Sequence, residues 1–208
     1  MSAVDMWKFE RKAISDGYTL VAGVDEAGRG PLAGPVTVAA VILPFECRLS
    51  GLNDSKQVTE ADRERLIDEI KDTAIAWDVQ IISARQIDDV NILRATHIGM
   101  RQSMAGLTPS PHIVLIDGLA IPEPPFPARN IIKGDSLSAS IAAASIIAKV
   151  TRDAIMVQLD AEYPEYGFAK HKGYPTPEHL LALKKYGPCK HHRYSFKPVR
   201  DCQQGELF

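Results

Sequence analysis

Three apolar runs in this chain end at acids. Leu20–Asp25 leads into Glu26, His112–Ile116 into Asp117-Gly118, and Asn130–Lys133 into Gly134-Asp135. Short apolar runs bounded by turn residues are the signature of buried strands. Ligands of open α/β sheets gather outside strand ends. Carboxylates converging there repel one another unless cations neutralise them. The reading is therefore a site for Mg²⁺ or Mn²⁺, hard ions that take oxygen ligands and keep waters. Two such ions about 4 Å apart activate a water and stabilise a leaving oxygen in phosphodiester cleavage.

Adjacent residues on a strand face opposite ways. Asp25 and Glu26 cannot both face the ions from a regular strand, so Glu26 is expected past the strand end or acting through its carbonyl. Asp25 and Asp117 are the surest ligands. Asp135 stands just before Ser136, where a helix N-cap belongs, and capping remains an alternative for it. After Glu26 comes Ala27, then Gly28-Arg29-Gly30. Glycines there let the backbone pass close to a ligand, although a lone G-x-G says little by itself.

Further strands are expected at Val36–Leu43, between Pro35 and Pro44, and at Trp77–Ser83. The link from the first strand to the second is too short for a crossover, which predicts an antiparallel pair and argues against a doubly wound parallel sheet. Thr59-x-x-Asp62 followed by Leu66, Ile70 and Ala74 predicts a helix over 59–74. Ala84–Leu107 is helical in pattern and broken once, with Ile87, Val90, Leu93, His97 and Met104 facing inward. Ser136 to about Asp160 is the longest helix, and its Ala/Ser run Ser138–Ser145 is suited to tight packing on the sheet. One more helix is expected at about 177–186, then a polar tail. Interleaved strands and helices make an α/β layered fold with a mixed sheet.

The chain has 208 residues, 45% hydrophobic and 24% charged, enough for a packed core. The charge is uneven. From Phe168 to Arg200, Lys170, Lys172, Lys184, Lys185, Lys190, Arg193, Lys197 and Arg200 face one acid, Glu178, a basic surface that a polyanion would favour. The division expected is a catalytic core over 1–160 and a basic extension over 161–208 with a flexible tail. Cys47, Cys189 and Cys202 are odd in number and lack C-x-x-C spacing, which points to a reducing compartment, the cytoplasm. No stretch resembles a signal peptide, and no apolar run is long enough for a bilayer.

Taken together, several stretches resemble bacterial ribonuclease HII. They are Val24-Asp-Glu-Ala-Gly-Arg-Gly-Pro-Leu-Ala-Gly-Pro35, Asn53-Asp-Ser-Lys56, Leu115-Ile-Asp-Gly118, Lys133-Gly-Asp-Ser136, Ser145-Ile-Ile-Ala-Lys-Val-Thr-Arg-Asp153 and His171-Lys-Gly-Tyr-Pro-Thr176. The resemblance implies a ribonuclease H-like α/β fold with a mixed five-stranded sheet, flanking helices and a C-terminal helical extension. It implies an endonuclease that cuts the RNA strand of RNA–DNA hybrids. It also implies nicking 5′ of single ribonucleotides in duplex DNA, by two-metal hydrolysis that leaves 5′-phosphate and 3′-OH ends. Asp25, Glu26, Asp117 and Asp135 would hold Mn²⁺ or Mg²⁺. Gly28, Arg29 and Gly30 would read the ribose 2′-OH through backbone groups, since that hydroxyl alone separates RNA from DNA at one sugar. Tyr174 would stack on the neighbouring deoxyribose; a half-buried core tyrosine is the alternative.

Lys149 and Arg152, three apart on one helix face, suit phosphate contacts, as do Lys56, Lys170 and Lys172. His171, His179, His191 and His192 with Cys189 fit no standard zinc spacing and are expected to face phosphates or solvent. Gln204-Gly-Glu-Leu-Phe208 resembles a Q-x-x-L-F sliding-clamp peptide, with Gln204, Leu207 and Phe208 as its anchors. A monomer is expected.

Overall fold

The computed structural model describes residues 4–52 and 58–203. Lys56 and the tail residues Gln204, Leu207 and Phe208 lie outside them. The elements run α1 (Lys8–Ser15), β1 (Val21–Ala27), β2 (Val36–Ile42), α2 (Glu60–Thr73), β3 (Ala76–Ile82), α3 (Ala84–Val90), α4 (Ile92–Gly106), β4 (Ile113–Asp117) and β5 (Ala128–Ile131). Then come α5 (Ala139–Glu162), α6 (Phe168–His171), α7 (Pro177–Tyr186) and α8 (Lys197–Gln203). The strands form one mixed sheet in the order β3-β2-β1-β4-β5. β1 pairs with β4, and β4 with β5, both in parallel.

Alternation along the strands sorts the core. Val21, Ile113, Leu115 and Ile131 pack with Ala13 of α1 and Ile141 of α5. Ala39 and Val41 meet Leu66 and Ile70 of α2 and Ala143 and Ile147 of α5. Their neighbours Ala22, Val24, Val38, Ala40, Val114 and Ile116 turn the other way, toward Met100 and Met104 of α4. The Ala/Ser run of α5 packs on β1 at backbone distance: a Cβ on Gly23 would fall 2.0 Å from the Ser140 carbonyl carbon. Glu10 of α1 ties down the start of α5, accepting from Ser138 Oγ at 2.6 Å and Ser140 N at 2.9 Å.

The chain forms two compact units. One comprises Met1–Ala27, Val38–Gln80 and His97–Val150; the other comprises Gly28–Thr37, Ile81–Thr96 and Thr151–Phe208. The second has its own apolar groups. Ala33, Met156, Leu159, Tyr166 and Phe168 form one, and Leu32, Leu183 and Val199 another.

Several expectations need correction. The break in the 84–107 helix falls at Asn91, whose φ of 70° ends α3; its side chain then caps α4 by accepting from Arg94 N. Leu93 is exposed, whereas Ile87 and Met104 are buried. The polar tail holds a helix, α8, anchored by the buried Val199. Among the described residues no helix is long and apolar enough to cross a membrane.

Candidate active site

The register of β1 on β4 pairs Val24 with Ile116, so one residue further on Asp25 comes beside Asp117. Odd-numbered residues of both strands face α5, and both carboxylates share that face. Asp135 arrives on the turn after β5. One ligand oxygen from each of Asp25, Asp117 and Asp135 lies within 4.8 Å of the others.

The start of α5 settles the alternative for Asp135. Gly134–Ser136 is a 3₁₀ turn and the α-helix begins only at Ala139. Ser138 Oγ accepts from Ile141 N at 3.3 Å, so serine, not Asp135, does the capping. Lys133, at φ 58°, makes the sharp entry into the turn. Gly134 N donates to Asp117 Oδ1 at 2.6 Å and fixes that carboxylate. A Cβ on Gly134 would fall 2.6 Å from Ile141 Cδ1 and 3.4 Å from Asp117 Oδ1.

Glu26 lies within β1 rather than past its end, half-buried, with its N–H donating to Asp25 Oδ1 at 2.7 Å. Its side chain is not in the three-carboxylate cluster. Burial, then the charges of Glu26 and Asp117, push the Asp25 carboxyl well above the usual carboxylate range, while the Glu26 N–H and the Ser145 hydroxyl pull it back. Ser145 went unnoticed as a site residue because it reads in sequence as one more small residue of a packing face.

The Gly28–Pro35 loop belongs to the other unit. Gly28 has φ 96°, and a Cβ there would fall 2.0 Å from Arg152 Nε. Its missing side chain thus makes room for an arginine. Arg152, expected on phosphate, is buried and donates to Pro35 O at 3.0 Å and Ala33 O at 3.2 Å. Arg193, expected on the basic surface, is 0% exposed. Its guanidinium donates to the carbonyls of Gly28, Arg29, Gly34 and Pro35 at 2.6–3.0 Å. Nothing in the run His191-His-Arg-Tyr194 marks Arg193 in sequence as different from the exposed lysines and arginines of the same region.

Arg29 and Gly30 are exposed. Gly30 faces the Tyr174 ring, with a notional Cβ 3.5 Å from Cε1. Tyr174 is 45% exposed, which rules out a core tyrosine. Leu32 N donates to Gly173 O at 2.8 Å, fastening the Tyr174 segment to the loop. Lys170 is exposed and bonds Glu178 at 3.4 Å; Lys172 is half-buried and bonds Ala169 O at 2.6 Å; Lys149 is half-buried.

Three of these four histidines face neither phosphate nor solvent. His171, His179 and His192 are buried and His191 is half-buried. A backbone group forces each tautomer, a carbonyl at His179 and an N–H at His192. His179 Nδ1 donates to Tyr174 O at 2.9 Å, leaving Nε2 to accept from His192 Nε2 at 3.1 Å. His192 Nδ1 then accepts from Cys189 N and Sγ. Every nitrogen of this pair is engaged within the protein, which leaves none for zinc.

A sequence model of ribonuclease HII matches residues 22–199. The chain belongs to the ribonuclease HII family. Ribonuclease HII of Ruminiclostridium cellulolyticum is 52% identical over 191 residues, covering 92% of this chain and 75% of that protein. The ribonuclease H2 of Pyrococcus horikoshii matches in structure with TM-score 0.77 at 28% identity, covering 90% of this chain and 99% of that one. The ribonuclease HII in the PCNA complex of Archaeoglobus fulgidus gives TM-score 0.74 at 28% identity, covering 86% and 95%.

As a ribonuclease HII, the chain is a metal-dependent endoribonuclease that cleaves the RNA strand of RNA–DNA hybrids. Its carboxylates fit a divalent ion: they are hard oxygen donors, two of them buried, held close enough to repel when nothing neutralises them.

Proposed function

We propose that this ribonuclease HII also nicks duplex DNA 5′ of a single ribonucleotide, by two-metal hydrolysis that leaves 5′-phosphate and 3′-OH ends. The meeting of Asp25, Asp117 and Asp135 within 4.8 Å is the observation that carries the reading. Mn²⁺ or Mg²⁺ bound there would lower the pKa of a water and neutralise charge on the leaving oxygen. Asp25, Asp117 and Asp135 would hold the ions, and Glu26 would complete the acidic set. Gly134 N–H and Ser145 Oγ hold Asp117 and Asp25 in place.

Gly28, Arg29 and Gly30 take the ribose, and their backbone groups select its 2′-OH. The exposed Tyr174 ring packs on the adjoining deoxyribose, an apolar contact that a nucleotide of either kind can supply. Lys149, Lys170 and Lys172, with Lys56, steady the phosphates. Arg152 is not among them, since both its hydrogen bonds are internal. The protein works as a cytoplasmic monomer.

The test is a DNA duplex carrying one ribonucleotide, offered with Mn²⁺, Mg²⁺ or EDTA. A metal-dependent nick 5′ of the ribonucleotide is the expected result. Cutting of all-DNA duplex, or binding without cutting, would contradict it.

The tail Gln204-Gly-Glu-Leu-Phe208 docks in a sliding clamp through Gln204, Leu207 and Phe208. Support comes from its pattern and from the PCNA complex of the Archaeoglobus fulgidus relative. Deleting residues 204–208 should abolish clamp binding and spare cleavage; unchanged binding would end the idea.

A further inference from the structure

We infer that Arg193 is the positioning residue of the ribose-reading loop, holding the peptide planes of Gly28 and Arg29 so that their N–H edges, opposite the held carbonyls, face the sugar. The inference rests on the reading of Gly28–Gly30 proposed above.

Nη2 of Arg193 donates to Gly28 O at 2.6 Å, and Nη1 to Arg29 O at 2.9 Å. A peptide is planar, with its N–H opposite its C=O. Fixing the Gly28 carbonyl therefore fixes the Arg29 N–H, and fixing the Arg29 carbonyl fixes the Gly30 N–H. Both N–H groups point away from the guanidinium, the direction a hydroxyl must come from. The same side chain anchors the far end of the loop, through Nε to Gly34 O and Nη2 to Pro35 O, both at 3.0 Å. One rigid fork thus sets both ends of an eight-residue segment.

The backbone around Arg193 is fixed in turn. Its N–H donates to Leu32 O at 2.8 Å, Gly34 N donates to His191 O at 2.8 Å, and Ala33 bridges His192. The guanidinium carbon sits 5.2 Å from the centroid of the Phe196 ring. Four of its five N–H donors meet carbonyls, a pattern that a lysine ammonium cannot reproduce, having three donors on one nitrogen. Burial and the nearby Arg152 charge bring its pKa down only to about 9, so it stays protonated at neutral pH. Arg152 serves as an internal comparison. It is also buried and packs against Gly28, but its hydrogen bonds go to Ala33 and Pro35, outside the reading segment.

The experiment measures KM for a duplex with one ribonucleotide, and Ki of the all-DNA duplex of the same sequence as competitor. Their ratio, Ki/KM, reports selection of the 2′-OH and does not depend on the fraction of protein folded. Arg193→Lys should lower Ki/KM about tenfold, as a small misplacement of positioning groups does, while Arg152→Lys leaves it within about twofold. An unchanged ratio in Arg193→Lys, or equal losses in both variants, would overturn the inference. If Arg193→Lys yields no folded protein, Arg193→Ala with methylguanidinium in the buffer replaces it. Recovery of the ratio would support the role; recovery of rate without the ratio, or of neither, would overturn it. Gly30→Ala separates this from the underlying reading. An unaltered ratio there sinks the reading itself, whereas a lowered ratio in Gly30→Ala beside a normal one in Arg193→Lys sinks the positioning role alone.

Discussion

Gly134 donates its N–H to Oδ1 of Asp117 at 2.6 Å. The residue that precedes Asp135 therefore holds the carboxylate at the end of β4, and two acids 18 positions apart are set by one turn. Gly134→Ala would drive a Cβ into Ile141 and against that oxygen. The metal concentration giving half-maximal cleavage should rise about tenfold or more, as losses of ligand-orienting partners do. A metal titration of the hybrid-cleavage rate checks this.

Asp25 is buried against like charge, so neutralising it removes a repulsion. Asp25→Asn should abolish cleavage yet raise the melting temperature in EDTA by about 2–4 °C, the shift expected for about 1 kcal/mol in a chain of this size. Adding Mn²⁺ should then stabilise the natural protein far more than the variant. Thermal scans with and without metal decide it.

His179 and His192 are buried as neutral rings. Burial lowers their pKa values from the usual 6.5 to about 4 and about 3, with the His192 value lowered further by His179. The unfolded chain takes up protons on them below about pH 6.5, which the folded chain resists. Their contribution is therefore present above pH 6.5 and lost as pH falls through 6.5 toward 3. Denaturant midpoints should fall across that window, and His192→Gln should flatten the fall. A midpoint independent of pH between 7 and about 4.5 would contradict the burial of these rings in neutral form.

Tyr174→Ala removes an exposed ring beside Gly30. On a single-ribonucleotide duplex kcat/KM should drop about tenfold, the worth of one aromatic stacking contact. The loss on all-RNA hybrid should be smaller, since many sugars there offer a 2′-OH. Comparing both substrates with one enzyme preparation measures the difference.

The strands that end at acids were legible because the apolar run and the acid that stops it are both local pattern: β4 is a short apolar run that stops at Asp117. The strand order and the parallel register that brings Asp25 level with Asp117 were not, because both are set by pairing across the sheet. The 3₁₀ turn at Gly134–Ser136 was not legible, because Asp135 and Ser138 are equally good caps in sequence and the choice between them depends on Glu10 and the packing of α5. Arg152 and Arg193 misled for a related reason. A buried arginine whose partners are backbone carbonyls has no counter-charge in sequence to betray it, and its partners lie more than a hundred residues away. The histidines concealed themselves likewise, since a neutral ring bonded to a neutral ring looks in sequence like any surface polar residue.

Manganese binding tests the central claim most directly. Isothermal titration of Mn²⁺ into the natural protein, Asp25→Asn and Asp117→Asn should give saturable binding in the first and loss of it in both variants. Equal binding in all three would mean that the acids at the ends of β1 and β4 are not the metal site.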